Sequence, residues 1–191
     1  MAFGFASPAP ANTPSHLGRV LEPAEWAAAG IPLLRDPREV VTGLCSRHRP
    51  TPSTTVVAVF GPDERLVASA SFVRSDSVPD GWECRNVLLS RLRGIVPHDL
   101  RLRRPVRTAV LLSCREEGPG WTEEDGAWMW GLRDACTLHG LRCGAYITLT
   151  RTGWQVFGED RRGRRPSLGP TARGGRTGHG GAGVPRRAAA R

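Results

Sequence analysis

The chain has 191 residues, 39% of them hydrophobic, which is enough for one buried core and hardly for two, so a single folded unit is expected. No apolar run approaches the roughly 20 residues that a bilayer-crossing helix needs, and five cysteines without a repeated short spacing exclude a disulfide framework; with no secretory leader pattern, the expected setting is the cytoplasm with reduced thiols. The formal net charge of +9 is unevenly placed: all 27 basic residues are Arg, the 18 before Asp160 balance the 18 acidic residues, and the other nine follow Asp160 with no Asp or Glu among them.

Residues 1–16, rich in Pro, Ala and Ser, lack any periodicity and are expected to be a disordered lead-in. Residues 17–160 then form the globular domain. Pro23, Ala24, Glu25 and Trp26 predict a short helix ending at Gly30, with Trp26 and Leu33 closing over the core. Asp36 as cap, Pro37 at the first helical position and Glu39 three residues after the cap predict a second helix. Val40, Val41, Leu44, Cys45 and His48 share one face of it, and Pro50 ends it. Thr54 to Phe60 and Leu66 to Val73 are β-rich runs around Gly61, Pro62, Asp63 and Glu64, the pattern of a hairpin.

A further helix is expected from Pro79 or Asp80, with Val87, Leu88, Leu92, Ile95 and Val96 at helical spacing before Pro97. An Arg-rich connection leads to a strand from Val106 to Leu112. After Gly118, Pro119 and Gly120, Thr122 can cap a helix whose acidic first turn holds Glu123, Glu124 and Asp125; Trp128, Leu132 and Ala135 make its apolar stripe and Gly140 its end. Two strands, Ala145 to Leu149 and Trp154 to Phe157, flank a turn at Thr152 and Gly153. Residues 161–191, rich in Gly, Arg, Pro and Ala, are expected to be a disordered tail. Absence of Lys beside abundant Arg is also what a GC-rich coding sequence produces, so the basicity of the tail has two readings.

This α/β order, α-β-β-α-β-α-β-β, resembles the JAB/MPN metalloprotease-like domain in its bacterial RadC-like form, over residues 37–157. The resemblance implies a three-layer, mixed-sheet fold of the cytidine-deaminase-like kind. In that family the strand before the last helix runs into His-x-His-Pro-Ser-Gly and the helix opens with Ser-x-x-Asp. Here the same stretch reads Leu111, Leu112, Ser113, Cys114, Arg115, Glu116, Glu117, Gly118, then Thr122-Glu123-Glu124-Asp125. Gly118 and Asp125 match, and Thr122 stands in for the Ser. The two zinc-binding His positions hold Ser113 and Arg115. A guanidinium has a fixed positive charge and no lone pair for a metal, so the resemblance implies a degenerate site with neither zinc nor the peptidase chemistry that an activated water would supply. The family's upstream catalytic Glu has no counterpart in this sequence. The run from Trp121 to Cys136, WTEEDGAWMWGLRDAC, is also similar to uncharacterised bacterial proteins, from which no activity carries over.

The candidate site is therefore a pocket or binding rim of Ser113, Cys114, Arg115, Glu116, Thr122 and Asp125. Asp125 is a surviving metal ligand on the family reading and half of a capping box with Thr122 on the local one. Cys114, between a strand and a helix, is either a partly exposed nucleophile or redox thiol, or a small semi-buried residue. Cys136, His139 and Cys143 offer ligand atoms but straddle a helix end without a fourth partner. Glu116, Glu117, Glu123, Glu124 and Asp125 form an acidic rim for a cation or basic peptide, or a solvated helix start. Arg101, Arg103, Arg104 and Arg107, with Arg161, Arg162, Arg164 and Arg165 in the tail, are candidate phosphate contacts or exposed connectors. Trp128 and Trp130, two apart, point to different faces, and Trp121 or Trp130 is a candidate partner anchor.

Three readings follow: a non-catalytic interaction or regulatory module with a protein partner, a protein associating non-specifically with nucleic acid through its tail, and an enzyme acting at Cys114. No cofactor motif is present and no membrane contact is expected.

Overall fold

The computed structural model describes residues 19–31, 34–74, 80–98, 105–116, 118 and 120–169. Its helices begin where the caps place them. Helix α1 (Pro23–Ala28) is short and buries Trp26. Helix α2 (Pro37–His48) starts with the Asp36 side chain accepting the amide of Glu39 at 3.0 Å. Helix α3 (Gly81–Ile95) opens on a reciprocal box between Asp80 and Glu83, and α4 (Glu123–His139) on one between Thr122 and Asp125. Gly140 ends α4 with φ +78°, a left-handed conformation that glycine takes without steric cost.

The strands are β1 (Thr54–Phe60), β2 (Leu66–Val73), β3 (Thr108–Cys114), β4 (Arg142–Thr150), β5 (Gly153–Val156) and the short β6 (Arg162–Gly163). They form one mixed sheet in the order β2-β1-β3-β4-β5-β6. All pairings are antiparallel except β3 with β4, between which α4 carries the chain back to the end of the sheet where β3 begins.

Side-chain alternation divides the core into two halves. Val57, Val59, Ala109, Leu111 and Tyr146 face α3 and α4, together with Trp26 from α1. Val56, Ala58, Val110, Leu112, Ile147 and Leu149 face Val41 and Leu44 of α2. With helices on both faces, β1, β3 and β4 read as nearly continuous apolar runs instead of alternating ones. Close packing of α3 on α4 depends on Gly131, where a Cβ would lie 2.7 Å from the Cβ of Cys84 and 2.8 Å from the amide nitrogen of Arg85.

The hairpin β1–β2 lies where the sequence puts it; other boundaries move. Strand β3 starts two residues later than Val106, which is 45% exposed, because the ladder to β1 pairs Phe60 with Thr108 and Thr55 with Ser113. Its polar end, Ser113 and Cys114, carries no apolar signal. Val87, expected on the buried face of α3, is exposed. The fold also continues past Asp160: β6 pairs with β5, the Leu168 amide donates to the Thr150 carbonyl at 2.9 Å, and Leu168 is buried. The disordered tail expected from residue 161 is thus corrected for residues 161–169, where backbone pairing on glycine and arginine replaces the apolar alternation that marks a strand in sequence. Leu33, residues 1–16 and residues 170–191 lie outside the described residues. Among the described residues no helix is long and apolar enough to cross a membrane.

Candidate functional site

The parallel pair β3–β4 has its carboxyl ends beside the N-terminus of α4, the place where open α/β sheets most often receive ligands. Arg115 follows β3 directly, its amide donating to the Leu149 carbonyl at 3.0 Å, and its side chain turns under the first turn of α4. There its Nη1 donates to Asp125 Oδ2 at 2.6 Å and to Thr122 Oγ1 at 3.0 Å, while Nη2 reaches the Gly120 carbonyl. Thr122 passes the connection on: its hydroxyl and its amide donate to Asp125 Oδ2 at 2.8 and 2.9 Å, and the hydroxyl accepts the Asp125 amide at 3.2 Å. The second carboxylate oxygen, Oδ1, accepts the Tyr146 hydroxyl at 2.8 Å. Arg115 is 6% exposed and Asp125 1%.

Polar contacts continue at the end of β2. The Ser113 hydroxyl accepts Arg74 Nη1 at 2.8 Å. Arg74 Nη2 donates to the Cys114 carbonyl at 2.8 Å, and the same guanidinium pairs with Glu124 at 3.3 Å. Burial, and next to it the negative Asp125, push the Tyr146 phenol well above its ordinary value, so it stays a donor. Two guanidiniums and two carboxylates are thus neutralised within the protein, Arg74 with Glu124 and Arg115 with Asp125. Sequence reading missed Arg74 and Tyr146. The signal for Tyr146 was present, since the one tyrosine of the chain sits in an apolar strand where its hydroxyl needs a partner.

These residues do not fit a zinc ion. The Arg115 guanidinium occupies the Asp125 carboxylate, Ser113 is hydrogen-bonded to another guanidinium, and among the described residues no three His, Cys, Asp or Glu side chains gather as ligands. Cys136 and Cys143 pack in the same half of the core near the end of α4, where His139 is buried. Ser113, Cys114, Arg115 and Asp125 are buried, so the expected pocket is instead a sealed polar knot, with Thr122 half-buried at its edge. Cys114 points to the opposite, α2 side, fully buried, and burial pushes its thiol up to about 12, the reverse of an activated nucleophile.

The acidic rim does not assemble either, because its members face different ways. Glu116 pairs with Arg151 at 2.7 Å on the surface, Glu124 turns to Arg74 and accepts Trp128 Nε1 at 3.2 Å, Glu123 is exposed and Asp125 is interior. Glu117 lies outside the described residues, as do Arg101, Arg103 and Arg104. Arg107 donates to the Pro97 carbonyl at 2.8 Å. Arg161 serves the fold, binding Glu159 and the Leu34 carbonyl, whereas Arg162, Arg164 and Arg165 are exposed.

Of the tryptophans, Trp26, Trp128 and Trp154 are buried and Trp121 and Trp130 half-buried. The most exposed is Trp82, at 40%, which sequence reading did not single out. It meets Trp130 edge-on at 5.1 Å between centroids and carries Arg85 at 4.4 Å over its ring.

No family model matches the chain, and the searches of curated proteins and of solved structures gave no match either.

Proposed function

We propose that the chain is a metal-free, non-catalytic domain of the JAB/MPN type that works as a protein-interaction or regulatory module in a bacterial cytoplasm. One observation carries this reading: the carboxylate that corresponds to the family's remaining metal ligand, Asp125, is held by a buried guanidinium at 2.6 Å. A fixed positive charge there repels a dication and leaves no open coordination position, so an activated water is not formed. The element order from α2 to β5 supports the resemblance independently of the motif.

The test is metal content. Protein purified without chelator is expected to carry far less than one zinc per chain, and stoichiometric zinc overturns the reading. The interaction role is tested by capture from nuclease-treated lysate with the full chain and with a chain ending at Gly169, since residues 161–168 belong to the fold. The same protein retained by both supports a module in the folded body. Loss of all binding on shortening moves the activity to residues 170–191.

A further inference from the structure

A second polar region lies at the same end of the sheet, nearer its β6 edge. The ladder aligns Thr55, Ser113, Thr148, Gln155 and Arg162 in one row across β1, β3, β4, β5 and β6. On its β4–β6 side the row opens into a groove of about 520 Å³ lined by Thr148, Thr150, Gln155, Arg162 and Arg164 among others, with no Asp or Glu. Arg162 and Arg164 are exposed, and neither has a carboxylate partner among the described residues. Thr150 uses its hydroxyl on the Gly153 carbonyl at 3.1 Å. Thr148, fully buried, has no partner for its hydroxyl. A buried hydroxyl without a partner costs free energy, so its persistence beside two unpaired cations asks for a ligand.

Close backbone approach sets the position of the arginines. Gly153 has φ +136°, and a Cβ there would stand 2.0 Å from the Gly163 carbonyl oxygen; a Cβ on Gly163 would stand 2.8 Å from the Trp154 ring. Because both are glycine, β6 lies against the hairpin and sets Arg162 and Arg164, two residues apart, along the same groove.

We infer that this groove is an anion site that takes a phosphoryl group, with the Arg162 and Arg164 guanidiniums neutralising its charge and the Thr148 hydroxyl donating a hydrogen bond to one oxygen. Two guanidiniums suit a dianion better than a single carboxylate, and their planar donor forks match phosphate oxygens. The groove exceeds one phosphate in size, which leaves room for the rest of a small phosphorylated molecule. The groove neighbours the sealed knot but is lined by neither Arg115 nor Asp125, so its failure would leave the metal-free reading untouched.

The test uses the full chain, inorganic phosphate as probe, calorimetry at fixed ionic strength, and four variants. Thr148→Val and Arg162→Gln are each expected to weaken phosphate binding by about tenfold, the value of one hydrogen bond to a charged group. Gly163→Ala is expected to weaken it with no charge removed, and Arg133→Gln, an exposed arginine on α4, to leave it unchanged. Thr148→Val must also melt no lower than the parent without phosphate, which separates a lost ligand contact from a lost fold. Absence of phosphate binding, or equal loss in Arg133→Gln, overturns the proposal in favour of diffuse electrostatics. A thymidine oligonucleotide without a terminal phosphate distinguishes the source of the group. If it displaces phosphate and is itself weakened by Thr148→Val, the group read is a backbone phosphodiester; if it does not displace phosphate, the ligand is a free phosphate ester. Oligonucleotide binding that is indifferent to Thr148→Val, in a chain that ignores inorganic phosphate, also overturns the site.

Discussion

Two polar regions sit side by side at the carboxyl end of β3 and β4, and they satisfy their charges in opposite ways. Beneath α4, the Arg115 and Asp125 groups are buried and meet each other, Thr122, Tyr146 and the Gly120 carbonyl. Along β6, Arg162 and Arg164 lie open and the neighbouring Thr148 hydroxyl has no partner. A closed ionic network leaves little for a ligand, since the Asp125 carboxylate and both terminal nitrogens of Arg115 are already used. Unused donors around a groove leave a site open. Both regions belong to one face of the sheet: Ser113, hydrogen-bonded to Arg74, and Thr148 of the groove are neighbours in one row of the ladder.

The largest effect expected from this contrast is on the sealed side. Asp125→Ala leaves the Arg115 charge buried without its partner and is expected to lower stability by about 3–5 kcal/mol. The measure is urea unfolding at neutral pH. Replacing both members, Arg115→Met with Asp125→Leu, is expected to cost far less than the sum of the single changes, because no orphan charge remains. Additive losses would mean that the two side chains act independently and do not form a closed pair.

An intermediate effect comes from the buried thiols and the phenol. Cys114 is pushed up to about 12 and Cys45 to about 11 from an ordinary 9.0, Cys84 goes further in the same direction, and Tyr146 lies well above 10.0, burial being the leading cause in each. A group whose proton is held more tightly in the fold than in the unfolded chain gives its full stabilisation below the unfolded value and loses it as pH rises toward the folded one. Stability is therefore expected to be flat from neutral pH to about 8 and to fall between 9 and 12, by roughly 1 kcal/mol from pH 8 to 10 for Cys114 alone. Unfolding of Cys114→Ala at the two pH values should show a shallower fall than the parent. An equal slope would place the alkaline loss elsewhere.

Much of the fold was legible because local chemistry and global packing agree. Asp36, Asp80 and Thr122 each cap the helix that the sequence assigns to them, and the hairpin runs Thr54 to Phe60 and Leu66 to Val73 have their expected bounds. Strand β3 was displaced because its last residues, Ser113 and Cys114, are buried by a polar network and by the α2 side of the core, neither of which gives a periodic signal. Strand β6 was invisible for another reason. Its residues are held by backbone pairing and by the flat seat of Gly163 on Trp154, which composition reads as disorder. At the site, Asp125 and Thr122 were legible as a capping box. That Arg115 and Asp125 are partners was not, because ten residues and an irregular loop separate them. Neither Thr148 nor its empty bonding capacity can be seen without the sheet register.

The smallest effect sharpens the open side of the comparison. Thr55 and Thr148 stand in the same row of the sheet, both fully buried, both with a hydroxyl that finds no partner, but Thr148 alone lines the groove beside Arg162 and Arg164. Replacing either with Val keeps the shape of the side chain and removes the unpaired polar group, so each change is expected to raise stability by about 0.5–1 kcal/mol in phosphate-free buffer. Added phosphate should then separate them. The parent and Thr55→Val gain thermal stability together as phosphate is raised, because a ligand bound only by the folded state stabilises it by RT ln(1 + L/Kd), with L the free ligand concentration, while Thr148→Val gains much less. Identical phosphate responses in the two variants would show that the hydroxyl at Thr148 is as uninvolved as the one at Thr55, and that the unpaired donors of this edge are a cost the fold tolerates and not a site it keeps open.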